Sequence, residues 1–242
     1  MENIYTNTEL HRALATFLLT MGGFLAYHGL SGSGWVNRRN KEITEGGTYE
    51  LSLFLTRKTL GFLFLGLIPA IIFFVGYGYP GYSAHTLNIP SSFRWLIYTG
   101  ICLLILVMVY FPARKQEFHE RIPEMRLDRW NMARFGILVG GWAVYLFAYE
   151  FLFRELLLFT WVEALGIIPA IVLNTILYAM AHLPKGIQEV KGSVVFGPLL
   201  CMGSLISGSF ITPFIWHLVL AVSSELYAIY FNPAMQIKLN PK

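Results

Sequence analysis

A run of about 20 apolar residues is the length of helix that crosses the hydrocarbon of a bilayer. This chain carries seven such runs, at roughly 11–30, 59–78, 94–112, 132–149, 166–182, 192–209 and 211–231. Of its 242 residues 55% are hydrophobic and 13% charged, against about 25% charged in soluble domains. Water cannot solvate that much apolar surface, so lipid is the expected solvent and the bilayer the first expected partner. Lipid also gives backbone N–H and C=O groups no hydrogen bonds. The expected fold is therefore all-α, a polytopic membrane helix bundle of seven or eight transmembrane helices. The net charge is only +4, and the basic residues fall in short inter-helix stretches, which points to topology and away from nucleic acid. Cys102 and Cys201 lie inside apolar runs without CxxC spacing and read as small core hydrophobes. The first run follows Glu2, Glu9, His11 and Arg12 with no small-x-small cleavage site, so it reads as an uncleaved anchor. The end, Asn240-Pro241-Lys242, carries no lipidation box.

Two charge-rich segments interrupt the chain. Residues 31–58 hold Arg38, Arg39, Lys41, Arg57 and Lys58; residues 113–131 hold Arg114, Lys115, Arg121, Arg126 and Arg129. By contrast 79–93 has neither Lys nor Arg and reads as a Gly/Pro/Tyr loop. The positive-inside rule puts the basic segments in the cytoplasm and 79–93 and the N-terminus outside. With no repeat, residues 1–242 read as one membrane domain: N-terminal helices and basic loops over 1–131, then helices with chemistry-bearing motifs over 132–231. Met132 to Leu165 is 34 residues, about 51 Å as one helix, against a hydrocarbon core of about 30 Å. Either a long helix protrudes, giving seven passes, or the chain breaks near Tyr149 and returns, giving eight. The break is the favoured reading, because it sets Glu150 and His182 at one depth.

An ionisable residue at membrane depth costs roughly 2.5–3.5 kcal/mol on insertion scales and implies a partner, a cavity or a task. Glu150, Arg154 and Glu155 fall within six positions. Glu150 and Arg154 are i and i+4 and can pair, a spacing that also suits a plain structural ion pair. Tyr178 and His182 share a face by the same spacing, which an interfacial histidine would also satisfy. His217 sits inside the last apolar helix, where hydrocarbon offers its nitrogens nothing to bond. If 150–164 and 166–182 form a hairpin, Glu150 and His182 end at nearly one level. A carboxylate and two imidazoles converging in a bundle can activate water, or hold a metal that does so.

The order Glu150-Phe-Leu-Phe-Arg154 followed by Leu156-Leu157-Leu158, then Tyr178-x-x-x-His182 with Ala181-His182-Leu183, then His217 in a late helix resembles the CAAX prenyl endopeptidase and bacteriocin-processing (CPBP) family of intramembrane proteases. The resemblance covers 140–231. It implies an all-helical fold in which a glutamate and the first histidine activate water while the second histidine and an asparagine stabilise the oxyanion. On that basis Glu150, His182 and His217 are the catalytic candidates, with Arg154, Tyr149 and Tyr178 in support. A divalent metal such as zinc, attributed to the family, would fall to the same Glu150, His182 and His217. Three positions depart from the family pattern. Tyr149 stands where the family has the first of two adjacent glutamates, Ala221 where it has the asparagine, and Glu155 where glycine is usual. Glu155 is i+5 from Glu150, about 140° round an α-helix. Asn174 and Ser224 lie about two turns from the histidines on their faces and read as helix–helix hydrogen-bonding residues.

Two readings follow. One is an intramembrane endopeptidase hydrolysing a peptide bond near the membrane by Glu/His-activated water, acting on a membrane-associated peptide or protein. The other is a catalytically inactive relative that binds a membrane partner as an accessory subunit. In both, the chain is expected to be an integral, multi-pass protein of a bacterial inner (plasma) membrane.

Overall fold

The computed structural model describes residues 2–43, 49–78 and 89–238. Among them, seven helices are long and apolar enough to cross a membrane. The first is α1 (Glu2–Ser31). A short amphipathic α2 (Gly34–Ile43) leads to α3 (Tyr49–Phe62), which runs through a π turn (Leu63–Leu67) into α4 (Ile68–Tyr77) as one span. The third span is α5 (Ser91–Tyr110). After a 3₁₀ turn and α6 (Gln116–His119) come α7 (Met132–Glu150), a second π turn (Phe151–Leu157) and α8 (Leu158–Leu165), which are continuous. The last three spans are α9 (Ile167–His182), α10 (Ile187–Ser207) and α11 (Ile211–Phe231). The charge-rich segment over 31–58 is thus largely helical. Most of the expected loop 79–93, and Asn240-Pro241-Lys242, lie outside the described residues.

The expected break near Tyr149 is absent. Residues Met132–Leu165 form one 34-residue span, so the described residues give seven candidate passes and not eight. A reversal needs backbone groups freed from helical bonding, which hydrocarbon does not satisfy. The only local irregularity is the π turn, which keeps the bonds within the helix by shifting them one residue. The reversal comes at Gly166, whose φ of 85° and ψ of 170° end α8 and start α9; that left-handed φ is favourable only without a Cβ. The hairpin argument therefore survives without the break. Glu150 lies 15 residues before Leu165, about 22 Å, and His182 lies a similar distance after Gly166. The two share a depth in a seven-pass protein.

Neighbouring spans approach closely where residues are small, as membrane helices do when dispersion rather than water exclusion holds them together. A Cβ on Gly66 would lie 2.5 Å from that of Ala148, and one on Gly203 2.6 Å from the Trp216 ring. α7 packs on α3 and α11, α9 on α8 and α10, and α1 on α8. The α1–α8 seam carries two polar clamps: the Thr16 and Thr160 hydroxyls at 2.9 Å, and Trp161 Nε1–H donating to the Ala13 carbonyl at 2.8 Å. Asn131 caps α7, accepting the Arg134 N–H at 3.0 Å. Beneath the bundle, β1 (Arg129–Trp130) pairs in parallel with β2 (Gln236–Ile237) and joins the carboxyl end to the connection before α7.

Candidate active site

Three helices place the site. Glu150 ends α7, Arg154 lies in the π turn that follows, His182 ends α9, and His217 sits in α11. Glu150 and Arg154 are both 0% exposed, while His182 and His217 keep 8% and 9%. Arg154 Nε is 3.5 Å from Glu150 Oε2, the expected i,i+4 pair. The other carboxylate oxygen, Oε1, accepts a hydrogen bond from His217 Nδ1 at 2.6 Å. Glu150 thus holds a guanidinium with one oxygen and an imidazole with the other. The Arg154 guanidinium also lies over the Tyr178 ring, 4.8 Å from its centroid.

His182 is held differently. Its Nδ1 lies 2.8 Å from the backbone carbonyl of Tyr178, not on Glu150. A carbonyl oxygen only accepts, so Nδ1 carries the proton and Nε2 of the neutral ring keeps its lone pair. The same logic applies to His217, whose Nδ1–H faces an ionised carboxylate. In its neutral form each imidazole so bonded presents an Nε2 acceptor. Tyr149 links them, its ring centroid 6.4 Å from that of His182 and 5.9 Å from that of His217. Tyr178 approaches both, at 4.5 Å and 6.1 Å, and Phe196 of α10 closes on His217 at 6.0 Å.

The arrangement departs from the expected division of labour. The resemblance assigned water activation to Glu150 with His182; here Glu150 is bonded to His217, while His182 takes its bond from its own helix. The metal set of Glu150, His182 and His217 does not form: among the described residues no three His, Cys, Asp or Glu side chains stand where they could share an ion. One Glu150 oxygen is already committed to a ring nitrogen. The residues present do not fit a divalent metal, and no chemical step is derived through one. Glu155 turns away from Glu150, its Oε2 accepting the Phe210 N–H at 3.3 Å at the start of α11. Ser224 bonds the Leu220 carbonyl of its own helix at 2.7 Å, so it does not bridge helices as expected. Asn174 does, donating to the Phe153 carbonyl at 2.7 Å.

A second buried ionic group went unread in the sequence. Lys58 Nζ pairs with Glu124 at 2.7 Å and lies over the Trp142 ring, 3.2 Å from its centroid. The Glu124 N–H in turn donates to both carboxylate oxygens of Glu225, each at 3.1 Å. Trp142 lies eight residues before Glu150 and Glu225 eight after His217, so the group sits about 12 Å nearer one face of the bundle. An acid in the last apolar helix was the available signal, since Glu225 at that depth calls for a partner. Its partners come from a loop and a helix more than 100 residues away in sequence.

Fold and site together define a class, an integral, multi-pass helical membrane protein with a buried carboxylate–imidazole centre. Residues 131–223 match the family described as Type II CAAX prenyl endopeptidase Rce1-like. The match falls on the motif-bearing helices, in agreement with the resemblance, and spans well under half of the chain. Comparison with curated proteins and with solved structures gave no match.

Proposed function

We propose that this protein is an intramembrane peptidase that hydrolyses a peptide bond near the cytoplasmic boundary of the bilayer. The observation that carries the reading is the 2.6 Å bond from His217 Nδ1–H to Glu150. A buried carboxylate that fixes the tautomer and orientation of an imidazole is the base–orienter pair of hydrolytic enzymes. It also relieves Glu150 of two conflicting duties: tied to Arg154 and His217, it orients the base and does not itself accept the proton. In the proposed step His217 Nε2 takes a proton from water as the water oxygen bonds to the scissile carbonyl carbon. The carbonyl becomes an oxyanion. As the C–N bond breaks, the imidazolium returns the proton to the leaving nitrogen. His182 Nε2 accepts the second hydrogen of the water and orients it. The Tyr149 hydroxyl, buried with no protein acceptor, is the donor nearest to hand for the oxyanion where Ala221 has none.

One observation favours a second reading, an inactive relative that binds a membrane partner. Tyr149, where the family has a glutamate, sets an aromatic ring among the imidazoles.

The test uses the full chain in liposomes with a membrane-anchored peptide. His217→Ala and Glu150→Gln are each expected to lower cleavage by about 10²-fold or more at unchanged folded yield. Cleavage undiminished in both overturns the peptidase reading. An inactive parent that gains hydrolysis on the double change Tyr149→Glu and Ala221→Asn establishes the second.

A further inference from the structure

We infer that Asn174 is a positioning residue of the candidate site, holding the π turn that aims Glu150 at His217. The inference rests on the Glu150–His217 pair described above. In an α-helix the Leu158 N–H would bond the Arg154 carbonyl; here it reaches one residue further back, to Phe153. Asn174, buried in the middle of α9, donates its side-chain amide to that same carbonyl at 2.7 Å. Its Oδ1 receives the Cys201 thiol of α10 at 3.4 Å. The Leu158 N–H and the Asn174 amide thus use both lone pairs of one π-turn carbonyl, and α10 reaches that amide through Cys201.

The consequence for the site is a matter of register. π turns are rare as free structures and occur mostly where something holds them. If this one relaxed to α geometry, the chain on either side would rotate by one residue, about 100°. α8 cannot take up that rotation, because Thr160 and Trp161 are bonded to α1. The rotation would fall on the end of α7 and carry the Glu150 carboxylate away from His217. Asn174 touches neither histidine and acts only through the turn.

The test is imidazole NMR on the full-length, ¹⁵N-histidine-labelled protein in nanodiscs. The unaltered protein is expected to give one strongly deshielded ring N–H that vanishes in His217→Gln. In Asn174→Leu, similar in size but without a donor, that signal is expected to be lost while the His182 ring signals persist. Cys201→Ala, which removes only the thiol that orients the amide, is expected to move the His217 signal part of the way. A packing role alone would leave the His217 proton in place. Retention of that signal in a folded Asn174→Leu overturns the inference. Should that variant fail to fold, an unchanged signal in Cys201→Ala overturns it. Absence of the signal from the unaltered protein rejects the Glu150–His217 pair and the inference with it, a distinguishable failure.

Discussion

Arg154 has no exposed surface and five N–H donors, and among the described residues its acidic partner is one oxygen of Glu150. Two buried charges in low dielectric are tolerated only as a pair, and loss of one partner from such a pair costs about 3–5 kcal/mol. The carboxylate of Glu150 is therefore paired through one oxygen with a neighbour one turn away, and its other oxygen accepts from His217. Glu124 shows the same dependence at the membrane boundary. Burial pushes its carboxyl up, but the Lys58 ammonium, with Lys185 and Arg57 behind it, outweighs burial and holds it below the ordinary carboxylate value; Glu225 is the acid facing it. A depressed folded pKa means stability that is present above the unfolded value and lost as pH falls through the folded one. Glu124→Gln should therefore cost stability at neutral pH, less than the full buried-pair figure because 27% of the side chain is exposed. That deficit should close as the pH is lowered below the ordinary carboxylate range. Thermal unfolding in detergent across that range checks it; a deficit that widens in acid contradicts the pairing.

At the scale of elements, the two π turns are the departures from regular helix that matter. Both occur where a long span passes a close neighbour. The turn at Leu63–Leu67 contains Gly66, set against Ala148 two residues before Glu150. A side chain at Gly66 would have to push α7 aside. Gly66→Leu is expected to lower stability by about 1–3 kcal/mol, the usual cost of overpacking, and to reduce activity more than Gly22→Leu, where a Cβ meets nothing within 4 Å. Unfolding and cleavage measured on the two variants side by side check this; equal effects would mean that the contact does not position the site. The hairpin at Gly166 and the clamps from α1 hold the other side of the same span.

Across the whole molecule, seven passes remove a conflict that eight would create. With an odd number, the stretches carrying Arg38 and Arg39, Arg114 to Arg129, Lys185 and Lys191, and Lys238 all fall at one face. Among the described residues only Arg12 and Arg94 lie toward the other, with Arg154 between. The positive-inside rule makes the basic face cytoplasmic. Glu150 is about 22 Å from the Gly166 end, leaving it within about 8 Å of the cytoplasmic limit of a 30 Å core. The site then lies toward the side of the lysines, where the Lys58–Glu124–Glu225 group ties the 115–131 connection to the bundle. With Cys102 and Cys201 replaced by alanine, Ser91→Cys should react with a membrane-impermeant maleimide in intact cells, and Lys185→Cys only after lysis. The reverse pattern would invert the protein and set the site toward the outer face.

Much of this organisation was legible before any coordinates. Spans are readable because a bilayer demands about 20 apolar residues per crossing and each helix satisfies its backbone locally; Glu150 with Arg154, and Tyr178 with His182, are readable because i,i+4 spacing is a property of one helix. Of the seven or eight passes expected, the preference for eight did not hold, since a 34-residue apolar stretch looks too long for a bilayer and a π turn leaves no mark in hydropathy. Tertiary structure alone decided that Glu150 faces His217 and not His182, that Asn174 reaches the π turn, and that Lys58, Glu124 and Glu225 find one another. Those choices depend on how helices distant in sequence rotate and pack. That rotation is set by the sum of many small contacts, such as Gly66 on Ala148, rather than by any pattern within a single segment.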